Sequence, residues 1–272
     1  FSEEFQNFMN ILSKKNIPKG SIFIDYVSGL MSTHKRKQKL DQLKELSLSD
    51  RMILSNARCL SEGVDVPALD GIAIIDPRKS KTDIVQTVGR AIRKSENKKV
   101  GTILLPIFIN EETKDINKIA QETNFKYIWE VIRALRAHDE SLSFELDEIR
   151  TKLGKERKTS RQISGLSKVK IDIPTSYDKS FENSLKTVLI ESSTESWYMY
   201  YGLLKEYKEK FNDTHVPTDY ETDDGYKLGV WVGGQRSRSD SLDKNKKDLL
   251  NKIGFVWDMI DFNFNLGFSS FK

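Results

Sequence analysis

Cysteine is almost absent: Cys59 is the only one in 272 residues. A disulfide within the chain is excluded, and nothing points to an oxidising compartment. Histidine is nearly as scarce. His34, His138 and His215 lie far apart, so no Cys/His spacing suggests zinc, and no metal site is expected. No apolar run approaches the roughly 20 residues of a membrane span, and no basic stretch followed by an apolar one opens the sequence. The expectation is a cytoplasmic protein with no membrane partner. The first residue is Phe1 rather than methionine, as expected of a fragment or a processed chain. Neither sign of charge dominates: 44 Lys and Arg face 40 Asp and Glu, for a net +4. That balance permits a nucleic-acid partner without establishing one. No G-x-x-x-x-G-K-[ST] phosphate loop occurs, and no acidic strand-end motif stands ready for magnesium.

Apolar residues at helical spacing (Phe5, Phe8, Met9, Leu12) predict a helix over 3–15, broken by Pro18 and Gly20. Strands are predicted at 21–29, 52–57, 71–77 and 100–108, with helices at 33–46 and 82–94 between them. The last strand, VGTILLPIF, is apolar almost throughout, as strands buried on both faces are. This alternation predicts an α/β domain with a parallel sheet flanked by helices. Residues 114–149 read as helical. Residues 150–170 hold eight Lys or Arg and one acid, Glu156, and read as a connector: a solvated linker or a phosphate-tracking arm. From about 191 the chain is aromatic and helical, with Tyr200, Leu204, Tyr207 and Phe211 in one stripe. The division expected is 1–112 (α/β), 113–150 (helical extension), 151–193 (basic connector) and 194–272 (a small all-helical domain folding on its own).

The segment DIVQTVGRAIRKS, 83–95, carries the sharpest chemical signal. Gln86, Arg90 and Arg93 fall at i, i+4 and i+7 on one helical face, with Ile84, Val85, Val88 and Ile92 mostly opposite. The polar face is either ordinary solvated surface or a pair of guanidinium groups aimed at a polyanion. Upstream, SNARCLSEGVDVPALD places Ser61, Gly63 and Asp65 in a loop after a strand, at the edge where ligands of open α/β sheets collect. Cys59 in that loop reads as a small buried filler. Phosphoryl transfer needs positive charge where negative charge develops, and arginine offers fixed donors to phosphate oxygens. The chain thus has arginines suited to a γ-phosphate and nothing to grip the rest of a nucleotide.

ARCLSEGVDVPALD followed by DIVQTVGRAIRKS resembles the fifth and sixth motifs of superfamily 2 DEAD/DEAH-type helicases, the group that includes restriction-enzyme motors and phage or plasmid helicases. VSGLMSTHKRKQKLDQL resembles the segment between their fourth and fifth motifs. The resemblance implies that 1–110 is most of a second RecA-like domain. It implies that Gln86, Arg90 and Arg93 reach ATP held, with Mg2+, by a first RecA-like domain upstream. It also implies that Gly63 and Asp65 contact the nucleotide, and that Ser61, Ser28 and Gly29 meet the nucleic-acid backbone. This chain alone would then hold no cofactor tightly and catalyse nothing. Trp197, Tyr200, Leu204 and Tyr207, then HVP at 215–217, LGVWVGGQR at 228–236 and IGFVW at 253–257 resemble a helicase-associated domain.

Within that second part, Trp231 reads as core rather than as a base-stacking platform. Gln235, Arg236 and Arg238 are candidates for phosphate or base contact, with a polar helix end as the alternative. From 194 onward 11 basic residues face 13 acidic ones, so any such contact is local. Lys35, Lys37, Lys39 and Lys44 are solvated surface or a diffuse attraction for a strand. The leading expectation is an ATP-driven helicase or translocase acting on nucleic acid, DNA before RNA. A non-catalytic binding or scaffold module, with protein partners, is the alternative. No acid-plus-lysine nuclease constellation is visible.

Overall fold

The computed structural model describes residues 20–47, 50–57, 69–75, 84–86, 88–89, 100–107, 123–156, 166–173 and 179–259. The chain divides into two units, Phe1–Phe108 and Ile109–Lys272. The helix expected over 3–15 lies outside the described residues.

In the first unit, β1 (Ile22–Ser28) and β2 (Arg51–Ala57) pair in parallel, from Ile22 opposite Arg51 to Ser28 opposite Ala57. A parallel pair needs a crossover, and α1 (Thr33–Lys44) supplies it. Ser32 caps α1 by accepting the Lys35 N–H, and Leu40 and Val27 are buried. Lys39 of α1 pairs with Asp25 of β1. Its ammonium and the Tyr26 N–H hold the Asp25 carboxyl below its ordinary range, although burial works the other way. A second parallel pair joins β3 (Gly71–Ala73) to β4 (Thr102–Leu104). The strand expected over 100–108, buried on both faces, is shorter than its apolar run. Leu104 is 60% exposed, so apolar character alone overstated its cover.

In the described residues of the second unit the regular elements are helices: α2 (Thr123–His138), α3 (Glu140–Lys155), α4 (Lys179–Ser193), α5 (Ser196–Phe211), α6 (Leu228–Ser237) and α7 (Lys244–Lys252). Over 114–149, read as helical, the described part is two helices that meet at Asp139. Its side chain caps α3 by accepting the Leu142 N–H at 3.0 Å. The break between the two units falls after Phe108. Among its described residues the connector expected over 151–193 holds helix at both ends: α3 runs on to Lys155, and α4 buries Phe181, Leu185, Leu189 and Ile190. Phe181, Leu185 and Leu189 repeat every four residues, an apolar stripe that the neighbouring charges outweighed in a reading by composition. Residues 194–259 lie in the same unit as α2, α3 and α4.

The reason lies where α3 crosses α5. A Cβ on Gly154 would sit 2.2 Å from the Met199 carbonyl oxygen, and one on Gly202 would sit 2.1 Å from that of Thr151. The two helix backbones touch, and only glycine fits. Two arginines of α2 add a second tie. Arg133 donates to the Ser192 carbonyl at 3.1 Å, and Arg136 donates to that of Ser193, so the last carbonyls of α4 find cationic partners. Arg136 also meets Asp147 of α3 at 2.7 Å. Burial pushes the Asp147 carboxyl above its ordinary range despite that partner.

Gly154→Ala and Gly202→Ala should each lower stability by at least about 1–3 kcal/mol, since the obstructing atoms are backbone and cannot swing aside. Urea unfolding followed by tryptophan fluorescence measures this; a change near zero in both would show that the helices separate freely. Asp139 sets an acid limb. Lys168, then the Leu142 N–H and Ser141, lower its carboxyl from 3.8 to about 2. The stabilisation is present above the unfolded value of 3.8 and is lost as pH falls through about 2. Asp139→Asn, which can still cap the helix, should flatten the fall in melting temperature over that window.

Candidate nucleotide and nucleic-acid sites

β1 ends in the turn that holds Ser28 and Gly29, where the Met31 N–H donates to the Ser28 carbonyl at 3.2 Å. Gly29 is exposed, with open space where a side chain would project. Leu30 beside it is fully exposed. Because β1 and β2 are parallel and in register through Ser28 and Ala57, this turn lies at the same sheet edge from which the chain leaves β2. The loop after β2, with Cys59, Ser61, Gly63 and Asp65, lies outside the described residues.

Residues 84–86 and 88–89 are helical. Ile84 and Val88 are buried at i and i+4, and Gln86 is exposed. The opposition of polar and apolar faces therefore holds for those three. Val85, expected among the inward residues, is 42% exposed, since it lies about 100° around the helix from Ile84. Arg90 and Arg93 lie outside the described residues.

In the second unit the three candidates part company. Gln235 is 2% exposed. Its Oε1 accepts the Trp197 indole N–H at 2.9 Å and its amide nitrogen donates to the Trp231 carbonyl. It is a core residue, not a surface contact for bases or phosphates. Its position announces this: Leu228, Val232 and Gln235 fall at i, i+4 and i+7, and all three are buried. Arg236 is half-buried. Its Nε donates to the Val256 carbonyl at 2.9 Å, its guanidinium lies over the Phe255 ring, and Nη2 is buried without a hydrogen-bond partner. Burial lowers its pKa. Arg236 thus ties α6 to the 255–257 segment before it does anything else. Arg238 alone is exposed, with Nε on the Gly234 carbonyl.

Trp231 stacks on Tyr200, with centroids 5.6 Å apart and planes 11° from parallel, and lies 5.8 Å from Trp197. This is core packing. Gly229 has a related cause. A Cβ there would meet the Pro217 carbonyl at 2.0 Å, so the glycine of LGVW seats α6 against the HVP loop. The backbone of His215 takes the Tyr207 hydroxyl on its carbonyl and gives its N–H to Asp213. Among the described residues no His, Cys, Asp and Glu cluster could hold a metal ion, and no helix is long and apolar enough to cross a membrane.

Residues 1–95 match the model of the helicase conserved C-terminal domain, and 194–258 match that of the helicase associated domain. The two matched segments thus resemble, in order, the conserved C-terminal domain and the associated domain of helicases, and the first unit has the RecA-like fold of the former. Similar proteins include the UvrABC system protein B of Bacillus velezensis, 29% identical over 155 residues (50% of this chain, 23% of that protein). Another is a probable helicase of African swine fever virus, 36% identical over 74 residues (27% and 9%). Among solved structures, the ATP-dependent Type ISP restriction-modification enzyme LlaBIII bound to DNA aligns over 96% of this chain and 20% of its own, with a TM-score of 0.54 and 22% identity. The matched segments span under a quarter of the curated relatives' lengths.

Gln235→Ala should destabilise the fold by about 1–3 kcal/mol, because it leaves the buried Trp197 N–H without an acceptor. Arg238→Glu should leave thermal stability within about 0.5 kcal/mol of wild type. Scanning calorimetry separates the two; equal, small effects would return Gln235 to the surface.

Proposed function

We propose that this chain is the second motor domain and the associated domain of an ATP-driven helicase or translocase that moves on nucleic acid, DNA in preference to RNA. The match of residues 1–95 to the helicase conserved C-terminal domain carries the reading. A Type ISP restriction-modification enzyme bound to DNA among the similar structures supports DNA as the partner. In this reading Arg90 and Arg93 reach across to the γ-phosphate of ATP, and Gln86 lies on the same helical face, positioned by Ile84 and Val88 beneath it. Gly63 and Asp65 line the nucleotide, while Ser61, Ser28 and Gly29 follow the strand's backbone. The ATP phosphates and Mg2+ belong to a first RecA-like domain with a phosphate loop. This chain's arginines stabilise charge on the transferring phosphoryl group. Arg238 is the remaining surface contact in the second unit.

The test uses a protein that joins this chain to its phosphate-loop domain. Arg90→Ala and Arg93→Ala should each cut ATP turnover by about two to five decades with the fold intact. The 272-residue chain alone should show no turnover above contaminant level. Near-wild-type hydrolysis in both variants would remove the assigned role.

A further inference from the structure

The basic stretch that the sequence offered as either linker or phosphate-tracking arm ends on α3 in a specific way. The Ser167 N–H and hydroxyl both donate to the Glu145 carboxylate, the hydroxyl at 2.9 Å. Lys168 Nζ meets the two carboxylate oxygens of Asp139 at 2.8 and 2.6 Å, and also reaches Ser141 Oγ. A backbone N–H, a hydroxyl and an ammonium on two consecutive residues thus converge on acidic oxygens. That is the donor set with which proteins hold a nucleic-acid phosphate. Downstream the exposure alternates. Lys168 and Lys170 are exposed, whereas Val169 and Ile171 are half-buried. Asp172 ends the basic run.

We propose that Ser167, Lys168 and Lys170 form a phosphate-binding element for a nucleic-acid strand, and that the Asp139 and Glu145 carboxylates of α3 occupy it when no strand is there. The proposal rests on the nucleic-acid reading above. Three features make the exchange reversible. The Lys168–Asp139 pair is 40% and 34% exposed, and an ion pair that open to water is weak. A polyanion concentrates many competing charges in one place. When Lys168 leaves, the Asp139 Oδ1 still accepts the Leu142 N–H, so α3 stays capped. Self-occupation also accounts for a strongly basic stretch that does not stand as free positive surface at its C-terminal end.

The experiment compares the wild-type chain with Asp139→Asn/Glu145→Gln, which removes both charges and retains the helix cap. Binding of fluorescein-labelled single-stranded DNA is followed by anisotropy across a salt series. Trypsin cleavage after Lys168 is followed by mass spectrometry. The double variant should be cut faster after Lys168 and bind about three- to tenfold tighter at low salt. Its salt slope should steepen by roughly 0.7 for each phosphate gained. Adding Lys168→Gln should abolish the gain. A folded double variant that is cut faster yet binds no tighter overturns the proposal, as does one whose Lys168 is cut at the wild-type rate. A wild-type chain that binds no DNA or RNA overturns the nucleic-acid reading itself, an outcome distinct from unchanged binding by the variant.

Discussion

The second unit depends on one backbone contact, the crossing of α3 and α5 at Gly154 and Gly202. Each glycine leaves room for a carbonyl of the other helix that a methyl group would displace. Helices that approach this closely bring their neighbours with them. Arg136 of α2 reaches both Asp147 on α3 and the end of α4. Burial and the Asp147 charge raise the pKa of the Tyr198 hydroxyl on α5, which keeps it a donor to that carboxylate. The crossing therefore decides that α2, α3 and α4 form one body with the helicase-associated segment.

On its other sides α5 serves as the donor strip of the unit. The Trp197 indole finds Gln235 on α6, the Tyr201 hydroxyl finds the Leu249 carbonyl on α7, and Tyr207 finds the His215 carbonyl. Lys208 caps the chain after α7 through the Ile253 carbonyl. Each aromatic body fills the core while its polar tip satisfies a buried group elsewhere. Asn212, at φ 62, then ends α5 in the left-handed conformation that asparagine tolerates. The residues that mark this domain in sequence are, in the described structure, mostly the ones that hold it together. Gly229 seats α6 on the HVP loop, and Arg236 ties α6 to the segment after α7. A sequence signature of structural origin still leaves Arg238 exposed at the surface.

What the sequence determined by itself was the order of the described strands and helices in the first unit and the helices α5 to α7. Periodicity and motif spacing are local properties, written within a few residues of one another. Tertiary structure decided the rest, because it depends on which distant segments meet. A basic composition hid the Phe181–Leu185–Leu189 stripe, and only packing showed that 179–193 is a core helix. Gly154 and Gly202 look unremarkable 48 residues apart until their backbones touch. Gln235 carries the same amide on a surface or in a core, and only the Trp197 indole at 2.9 Å assigns it inward. Lys168 is one more cation in a charged run until Asp139, 29 residues away, folds back against it.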